Sequence, residues 1–494
     1  MARYILKRLI KSILSIFIVV SLVVMIVFKL VPVTRAFLGD TAFQKLKGNS
    51  KEVYRYSKLE QLGYLDYIPM NELFAELPAE QAKRENAGSS EQQAVLEKWK
   101  AKGYTILPLN AADDLQGSTI AYRNYNVFEL VGNFFKHLVV FDHKNYIQDP
   151  NNPNLERYIR IEKDYNGIPA IVGSGTLHKY LLYFDGNFPF IHQNFITFRF
   201  GESFPTQKGI QTLDVIATGQ GKMKNVEQTF PTGLTAKSPI KQHTLKYKTE
   251  PDALDKQRFH DNYADAEMSY ESPSMIGTSY IFGILALILQ YAIAVPFAIA
   301  MAKRVGGWID RIGIAYINLV VSVPTLAFIF FLKYIGLGFG MPDKFPHYGF
   351  GDVRSYIMPI IILALMSTPY LMMWVRRYMV DQSTSDYVKF AKAKGLSSSE
   401  ISRNHIFKNA IIPIVNGLPS SIILAISGAV LTESVFAIPG MGKMLPDAIK
   451  AGNNNMVITL TFIFTALSIF SVFAGDLLMT VVDPRISLNA KKGE

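Results

Sequence analysis

Asp386-Tyr-Val-Lys-Phe-Ala-Lys-Ala-Lys-Gly-Leu-Ser-Ser-Ser-Glu-Ile401, running on to Asn409-Ala-Ile-Ile-Pro413, is a short basic stretch between two long apolar spans. Its punctuation predicts two helices around a rigid corner. Ser385 is placed to N-cap a helix that continues through Lys394, and Gly395 stands where a left-handed residue would end it. Ser397 and Glu400 then have capping-box spacing, with Leu396 and Ile401 placed as a hydrophobic staple. Helical spacing puts Tyr387, Phe390 and Ala391 on one face as an apolar knob, and leaves Lys389, Lys392 and Lys394 free for acidic rims or lipid head groups.

Working outward, residues 276–302, 312–337 and 357–375 precede this corner, and 411–431 and 456–482 follow it. Residues 9–31 form a further apolar span behind Arg3, Lys7, Arg8 and Lys11. Each is long enough to cross a bilayer, which takes about 20 residues. The first is too long for the apolar part of a signal peptide and lacks a small-residue cleavage site, so it reads as an uncleaved helix. Basic residues flank alternate ends. Lys303, Arg304 and Arg311 join one pair of spans, and Arg376 through Lys408 another; the intervening loops carry only Lys344, Arg354, Lys443 and Lys450. Six helices with both termini in the cytoplasm satisfy the positive-inside rule, with Arg485, Lys491 and Lys492 closing the chain inside. Pro296, Pro324, Pro359, Pro369, Pro413 and Pro419 interrupt these spans, which suits either kinked, mobile helices or ordinary membrane packing.

That topology puts residues 34–275 outside the cell. Within 34–274 there are 28 basic and 29 acidic residues, whereas the rest of the chain carries 23 against 11. The formal charge of +11 is therefore topogenic and gives no reason to expect nucleic acid. With no cysteine, disulfides and thiolate metal sites are excluded, and the outer region must be stable through its core alone. Residues 52–70 and 91–102 read as polar-faced helices and 127–141 as an amphipathic helix. Residues 159–171 and 181–204 read as strands and turns, and 80–93 and 237–267 as exposed loops or partly disordered segments. The expectation is an all-α polytopic protein of six transmembrane helices with a large α+β extracellular domain between helices 1 and 2. Its parts are residues 1–33, 34–275 and 276–494, with the corner in a cytoplasmic loop at 377–410.

No catalytic centre is legible. Gly440-Met-Gly-Lys-Met resembles a phosphate loop, but Ala437 replaces its first glycine and Met444 the magnesium-binding hydroxyl residue. The histidines are scattered without metal-ligand spacing, and no Ser/His/Asp grouping stands out. No metal and no cofactor are expected on this chain.

As a set, these residues resemble a known family. Asp386-Tyr-Val-Lys-Phe-Ala-Lys-Ala-Lys-Gly-Leu-Ser397 with His405 and Asn409-Ala-Ile-Ile-Pro413 resembles the cytoplasmic coupling loop of ABC-importer permeases, in the oligopeptide/dipeptide/nickel branch, B-type subunit. Phe200-Gly-Glu-Ser-Phe-Pro205 with Thr212-Leu-Asp-Val-Ile216, Gly307-Trp-Ile-Asp-Arg311, Glu433-Ser-Val-Phe-Ala-Ile-Pro-Gly-Met-Gly442 and Asp476-Leu-Leu to Asp483-Pro-Arg-Ile486 are further similarities. The resemblance covers about the last 220 residues, the first helix and residues near 181–221. The chain departs from the broad importer pattern where Lys389-Phe-Ala391 replaces Glu-Ala-Ala, and where the proline of the later Ile-x-Leu-Pro slot is delayed to Pro413. Residues 46–179 and 222–272 enlarge a loop that is shorter in typical members.

The resemblance implies a type I ABC importer permease fold and a role in oligopeptide uptake by alternating access. It implies a second permease subunit, two ATP-binding subunits that hold ATP and magnesium, and an extracellular peptide-binding protein. The coupling contacts would come from Asp386, Tyr387, Lys389, Phe390, Ala391, Gly395, Ser397 and Glu400, docked in a groove on an ATPase. Glu433 and Asp476 are acids at membrane depth; their coincidence with signature positions favours buried structural hydrogen bonds over proton coupling. The enlarged outer domain would form a vestibule that receives the binding protein. An importer of dipeptides or nickel is an alternative within the family. A membrane sensor whose outer domain binds a ligand is another, and a secondary transporter would need inverted repeats that are not evident.

Overall fold

The computed structural model describes residues 2–482 apart from 80, 84–87, 110–118 and 187–188, with side chains described for 6–479. The stretch Asp483-Pro-Arg485, and Lys491 and Lys492, lie outside the described residues. The first helix, α1 (Ala2–Leu30), is followed by an inserted domain that occupies the chain up to Ser274.

The first lobe of that domain holds α2 (Thr34–Leu38), α3 (Thr41–Lys45), α4 (Gly48–Gln61), β1 (Leu65–Ile68), α5 (Met70–Leu73), α6 (Ser90–Ala101), β2 (Thr105–Pro108) and β3 (Thr119–Asn124). The three strands form an antiparallel sheet in the order β1-β3-β2. Phe37, Phe43, Leu59, Leu65, Ile120 and Phe204 are buried together beneath it. The helix expected over 52–70 stops at Gln61: Gly63, at φ +83, reverses the chain, and the β-branched and aromatic run that follows pairs as β1. The helix at 91–102 is present as α6.

The second lobe begins with α7 (Val127–Leu138), capped by a reciprocal Asn126–Glu129 box, and continues through β4 (Val139–Phe141), β5 (Tyr158–Lys163), β6 (Pro169–Ser174), β7 (Tyr180–Phe184), β8 (Ile191–Gln193) and β9 (Ile196–Phe198). Strands β5-β6-β7-β8 make an antiparallel meander, and β4 pairs with β9. Then come α8 (Thr212–Ala217), β10 (Gly219–Met223), β11 (Val226–Thr229), β12 (Thr235–Ser238), β13 (Lys246–Tyr247), α9 (Ala253–Arg258), β14 (Tyr263–Asp265) and β15 (Tyr270–Ser274). The charge-rich stretch 237–267, expected as an exposed loop, is folded. Its sparse apolar residues Leu245, Phe259, Tyr263 and Ala264 are all buried against the meander.

The remainder is helical: α10 (Met275–Lys303), α11 (Trp308–Ser322), α12 (Thr325–Gly338), α13 (Arg354–Ser383), α14 (Asp386–Ala393), α15 (Ser398–Glu400), α16 (Lys408–Ala410), α17 (Ile412–Leu424), α18 (Val430–Phe436), α19 (Met441–Ala451) and α20 (Asn454–Val482). Among the described residues five stretches are long and apolar enough to cross a membrane, or six if α11 and α12 count as one. Those two helices, expected as one span interrupted by Pro324, meet at 115°. Pro324 lacks the N–H that would continue the ladder and drives Val323 into extended backbone, at φ −85 and ψ 133. Pro296, Pro359 and Pro369 stay inside long helices, and Pro413 lies in the first turn of α17, where a missing N–H costs little.

Candidate functional site

The corner is built as a Schellman turn. Gly395 takes φ +77, its N–H donates to Lys392 O at 3.0 Å, and the N–H of Leu396 donates to Ala391 O at 3.3 Å. A β-carbon at Gly395 would touch nothing within 4 Å, so the backbone angle alone calls for glycine here. Ser385 occupies the N-cap position of α14 but its side chain makes no capping bond, and the helix ends at Ala393 with Lys394 as C-cap. Ser397 and Glu400 form the capping box: the Ser397 N–H donates to Glu400 Oε2 at 2.9 Å and Ser397 Oγ accepts from the Glu400 N–H at 3.3 Å. The Ser397 hydroxyl, which donates to Glu400 Oε2 at 2.7 Å, and then the Ser397 N–H hold the Glu400 carboxyl below its ordinary range.

The corner has its own small core of Val388, Ala391 and Ile401, flanked by Tyr387 and Ile406. This corrects one expectation: Ala391 is buried inside the corner and does not join the exposed knob. Ile401 packs on Val388 and Ala391, while Leu396 remains 37% exposed. Because residues 388 and 391 point inward, Phe390 is turned outward and is 69% exposed. Tyr387 lies on the boundary, its hydroxyl donating to Gln382 Oε1 at 2.6 Å. Asp386 and Lys389 pair with each other at 2.8 Å on the exposed side, where Lys392 and Lys394 also lie.

The second arm is not a separate helix. It continues from α15 through a seven-residue π-helical turn at 401–407 and α16 into α17. Ile406, Phe407, Ala410 and Ile414 pack on Met372, Val375 and Met379 of α13 and on Met301 of α10. Beside them Arg376 clamps Asp310, donating from Nε to Oδ1 at 2.6 Å and from Nη2 to Oδ2 at 2.8 Å. Asp310 also accepts the Gly306 N–H at 2.7 Å and is 1% exposed. In the sequence Gly307-Trp-Ile-Asp-Arg311 stands out as a motif, but nothing in it names a partner for Asp310. The available signal was an acid in the first turn of a helix behind a basic loop.

Glu433, on α18, is fully enclosed. It accepts Ser279 Oγ of α10 at 2.8 Å, the Ala429 N–H at 3.1 Å and the Lys443 N–H at 2.8 Å, while Ser279 accepts the Met441 N–H at 2.7 Å. The glycines around it permit this approach: a β-carbon at Gly440 would lie 2.6 Å from both Glu433 Oε2 and Ser279 Oγ. Asp476 of α20 forms an ion pair with Arg8 of α1, each side chain about one-third exposed.

A cavity of about 420 Å³ opens beside this knot between α10, α13 and the α17–α18 segment. Leucine and alanine side chains line it together with Gln290, Ser367, Tyr370 and Ser421, and Gln290 Nε2 donates to Ser367 O at 3.0 Å. At the end of the bundle that carries the inserted domain, Asn453 Nδ2 donates to Ser203 Oγ at 2.8 Å and Thr206 Oγ1 at 2.9 Å. Asn455 donates to Glu202 O at 3.0 Å, and Gln220 of the domain to Pro439 O at 3.0 Å. Glu202, Ser203 and Pro439 lie within stretches quoted from the sequence, but nothing there pairs them with Asn453, Asn455 or Gln220, because asparagine before a helix reads equally well as a simple cap.

Residues 294–488 match the family model described as binding-protein-dependent transport system inner membrane component. The chain is 41% identical over 502 aligned residues to the oligopeptide transport system permease protein AmiC of Streptococcus pneumoniae serotype 4, covering all of both chains. It is 32% identical over 206 residues to the dipeptide transport system permease protein DppB of Lactococcus lactis subsp. cremoris, covering 42% of this chain and 67% of that one. Among solved structures, the MetNI methionine ABC transporter in inward-facing form covers 42% of this chain at 16% identity, TM-score 0.34. An amino acid ABC transporter with histidines covers 42% at 17% identity, TM-score 0.32.

Proposed function

The chain belongs to the binding-protein-dependent transport inner-membrane family, and from that premise we propose that it is the half-pathway for oligopeptides in an ATP-driven importer. It is a multi-pass, non-catalytic permease subunit of an ABC transporter. The observation that carries the peptide reading is the alignment with AmiC, which runs end to end and therefore includes the inserted domain as well as the helices. In this reading a second permease chain faces the open side of the cavity between α10, α13 and α17. Two ATPase subunits, holding ATP and magnesium, meet the Gly395 corner in the cytoplasm. Asp386, Tyr387, Lys389, Phe390 and Glu400 border that contact, with Gly395, Ser397 and Ala391 fixing its shape. Both termini are cytoplasmic, six spans cross the membrane counting α11–α12 as one, and residues 34–274 lie outside. There the inserted domain receives a peptide-loaded binding protein. Glu433 and Asp476 are structural in this account, since each is already committed to a partner on another helix.

The mechanism follows from how the corner is joined to the bundle. A push on α14 is transmitted through Val388, Ala391 and Ile401 to the π-helical turn, and from there without a loop into α17, which forms one wall of the cavity. Rigid caps at Gly395 and Ser397 keep that push from being absorbed at the turn. The test is reconstitution of the complete complex in vesicles, with uptake of defined peptides followed by mass spectrometry. ATP-dependent uptake of peptides of several residues is expected. Uptake of nickel or of dipeptides alone would overturn the oligopeptide assignment, and ATP hydrolysis unaffected by loaded binding protein would overturn the coupling reading.

A further inference from the structure

The inserted domain does not stop at the ends of the helices. Its helix α7 lies along α1, with Val131, Phe134 and Phe135 against Val20, Val24 and Val27. The deepest contact is Phe135 on Phe17, with ring centroids 4.6 Å apart. Phe17 is 13 residues before Leu30, which at 1.5 Å per residue is about 20 Å below the end of α1. The paired strand β9 behaves alike: Phe198, and Phe200 just beyond it, meet Phe462 at 6.0 and 4.9 Å. Phe462 lies eight residues into α20, about 12 Å below Asn454.

The bilayer cannot be lowered to avoid these elements. Counting about 20 residues from Arg8, whose partner Asp476 marks the other end of the same helix pair, places the near membrane boundary close to Phe28. The end of α7 and the β4–β9 ribbon therefore lie within the depth of the hydrocarbon. They are not covered by the rest of the chain. Phe128 is 83% exposed and Phe141 62%, and α1 itself exposes Ile13, Leu14, Phe17 and Ile18. At the deep end, Lys136 and Arg199 are also exposed, and neither has an acidic partner among the described residues. The Arg199 N–H donates to Leu138 O at 2.8 Å, so the two basic residues flank one junction.

We propose that α7 and the β4–β9 ribbon form a membrane-inserted wedge, and that Lys136 and Arg199 draw the phosphates of anionic phospholipids down to them. Two cations at this depth must reach an anion or water, and local thinning of a leaflet around such side chains is the least costly way to supply one. Around that locally thinned spot the exposed phenylalanines lie against the acyl chains of neighbouring lipids. This inference needs only that the chain spans a membrane; it stands or falls separately from the peptide reading.

Because the chain has no cysteine, single labels can be placed in it once any cysteines of the other subunits are replaced. A nitroxide at Gly132→Cys, where a β-carbon meets open space, and one at Phe141→Cys would be read in the complete complex in nanodiscs, with Leu254→Cys as a water-facing control. Collisions with oxygen should exceed those with a water-soluble nickel chelate at the first two sites and reverse at the third. Native mass spectrometry in mixed phosphatidylglycerol and phosphatidylcholine should show retained phosphatidylglycerol that is lost in Lys136→Glu and Arg199→Glu and kept in Arg199→Lys. Labels at 132 and 141 as open to nickel as that at 254 would overturn the wedge. Labels shielded from both reagents and cross-linking to the second permease would assign the surface to protein instead. Lipid-exposed labels with unchanged phosphatidylglycerol retention would overturn the phosphate contact.

Discussion

Gly395 is the residue on which the corner turns, and its requirement is conformational. With φ at +77 and open space around it, substitution is penalised only through the backbone. Gly395→Val should cost about 1–2 kcal/mol locally and more than Gly395→Asn. The expected outcome is an assembled complex whose ATP hydrolysis no longer responds to loaded binding protein; an undiminished response would remove the corner from the mechanism. His178, in the inserted domain, makes a prediction about pH. Burial, reinforced by the charge of Lys246, pushes its pKa down to about 4. Unfolded, it would titrate near 6.5, so its contribution is fully present above that value and is lost as pH falls toward 4, by up to roughly 3 kcal/mol. Buried Asp142 has a raised pKa from desolvation and acts in the opposite sense, so the comparison with His178→Gln isolates the histidine. Hydrogen exchange in β6 and β7 should accelerate between pH 6.5 and 4.5 beyond the intrinsic pH effect, and should do so less in His178→Gln.

At the scale of elements, α14 divides into a face that builds the corner and a face that is free. Phe390→Ala should weaken association with the ATPase subunits about ten-fold, as for loss of an aromatic anchor at an interface. Val388→Ala should instead lower thermal stability by about 1 kcal/mol, with association nearly unchanged. Pull-down and thermal unfolding of the pair separate the two, and equal effects on association would remove the facial distinction. The turn that ends this element and the capping box beyond it were legible in the sequence because they are local: Gly395, Ser397 and Glu400 act within six residues, whereas Ser385 makes no cap at its start. Its inward face was not, because Tyr387, Val388, Phe390 and Ala391 offer two plausible apolar arcs and only Ile401, across the turn, chooses between them. The bend at Pro324 was legible as an interruption but not as a 115° turn, since the angle is set by packing of α12 against α13 and α18.

For the whole molecule, apolar runs were sufficient to mark the long helices, because hydropathy is read from composition over long windows. The domain itself was poorly legible. Its sheets pair strands by non-local register, and one buried core joins Phe37 to Phe204 across more than half of the inserted chain. Its seam with α20 was likewise invisible, though it carries a prediction. Asn453→Ala leaves Ser203 and Thr206 without a shared donor and Phe204 N–H without its acceptor at 3.4 Å. A loss of about 1–3 kcal/mol is expected. Faster proteolysis of the inserted domain in the assembled complex, with the helices intact, would show it; unchanged proteolysis would mean the seam does not hold the domain in place.

The pairing of Arg8 with Asp476 acquires a meaning beside that seam. One end of the α1–α20 pair is tied by an ion pair, and the other is gripped by the first lobe and by α7. Two rods pinned together at both ends cannot slide or splay, so α1, α20 and the inserted domain turn as one solid piece. Relative motion within the subunit is left to the seam between that piece and the α10–α13 block. On the corner side the backbone reaches α17 through the π-helical turn at 401–407, whose Ile406 and Phe407 are packed on α13, so the corner is tied to the α10–α13 block and not to the pinned pair.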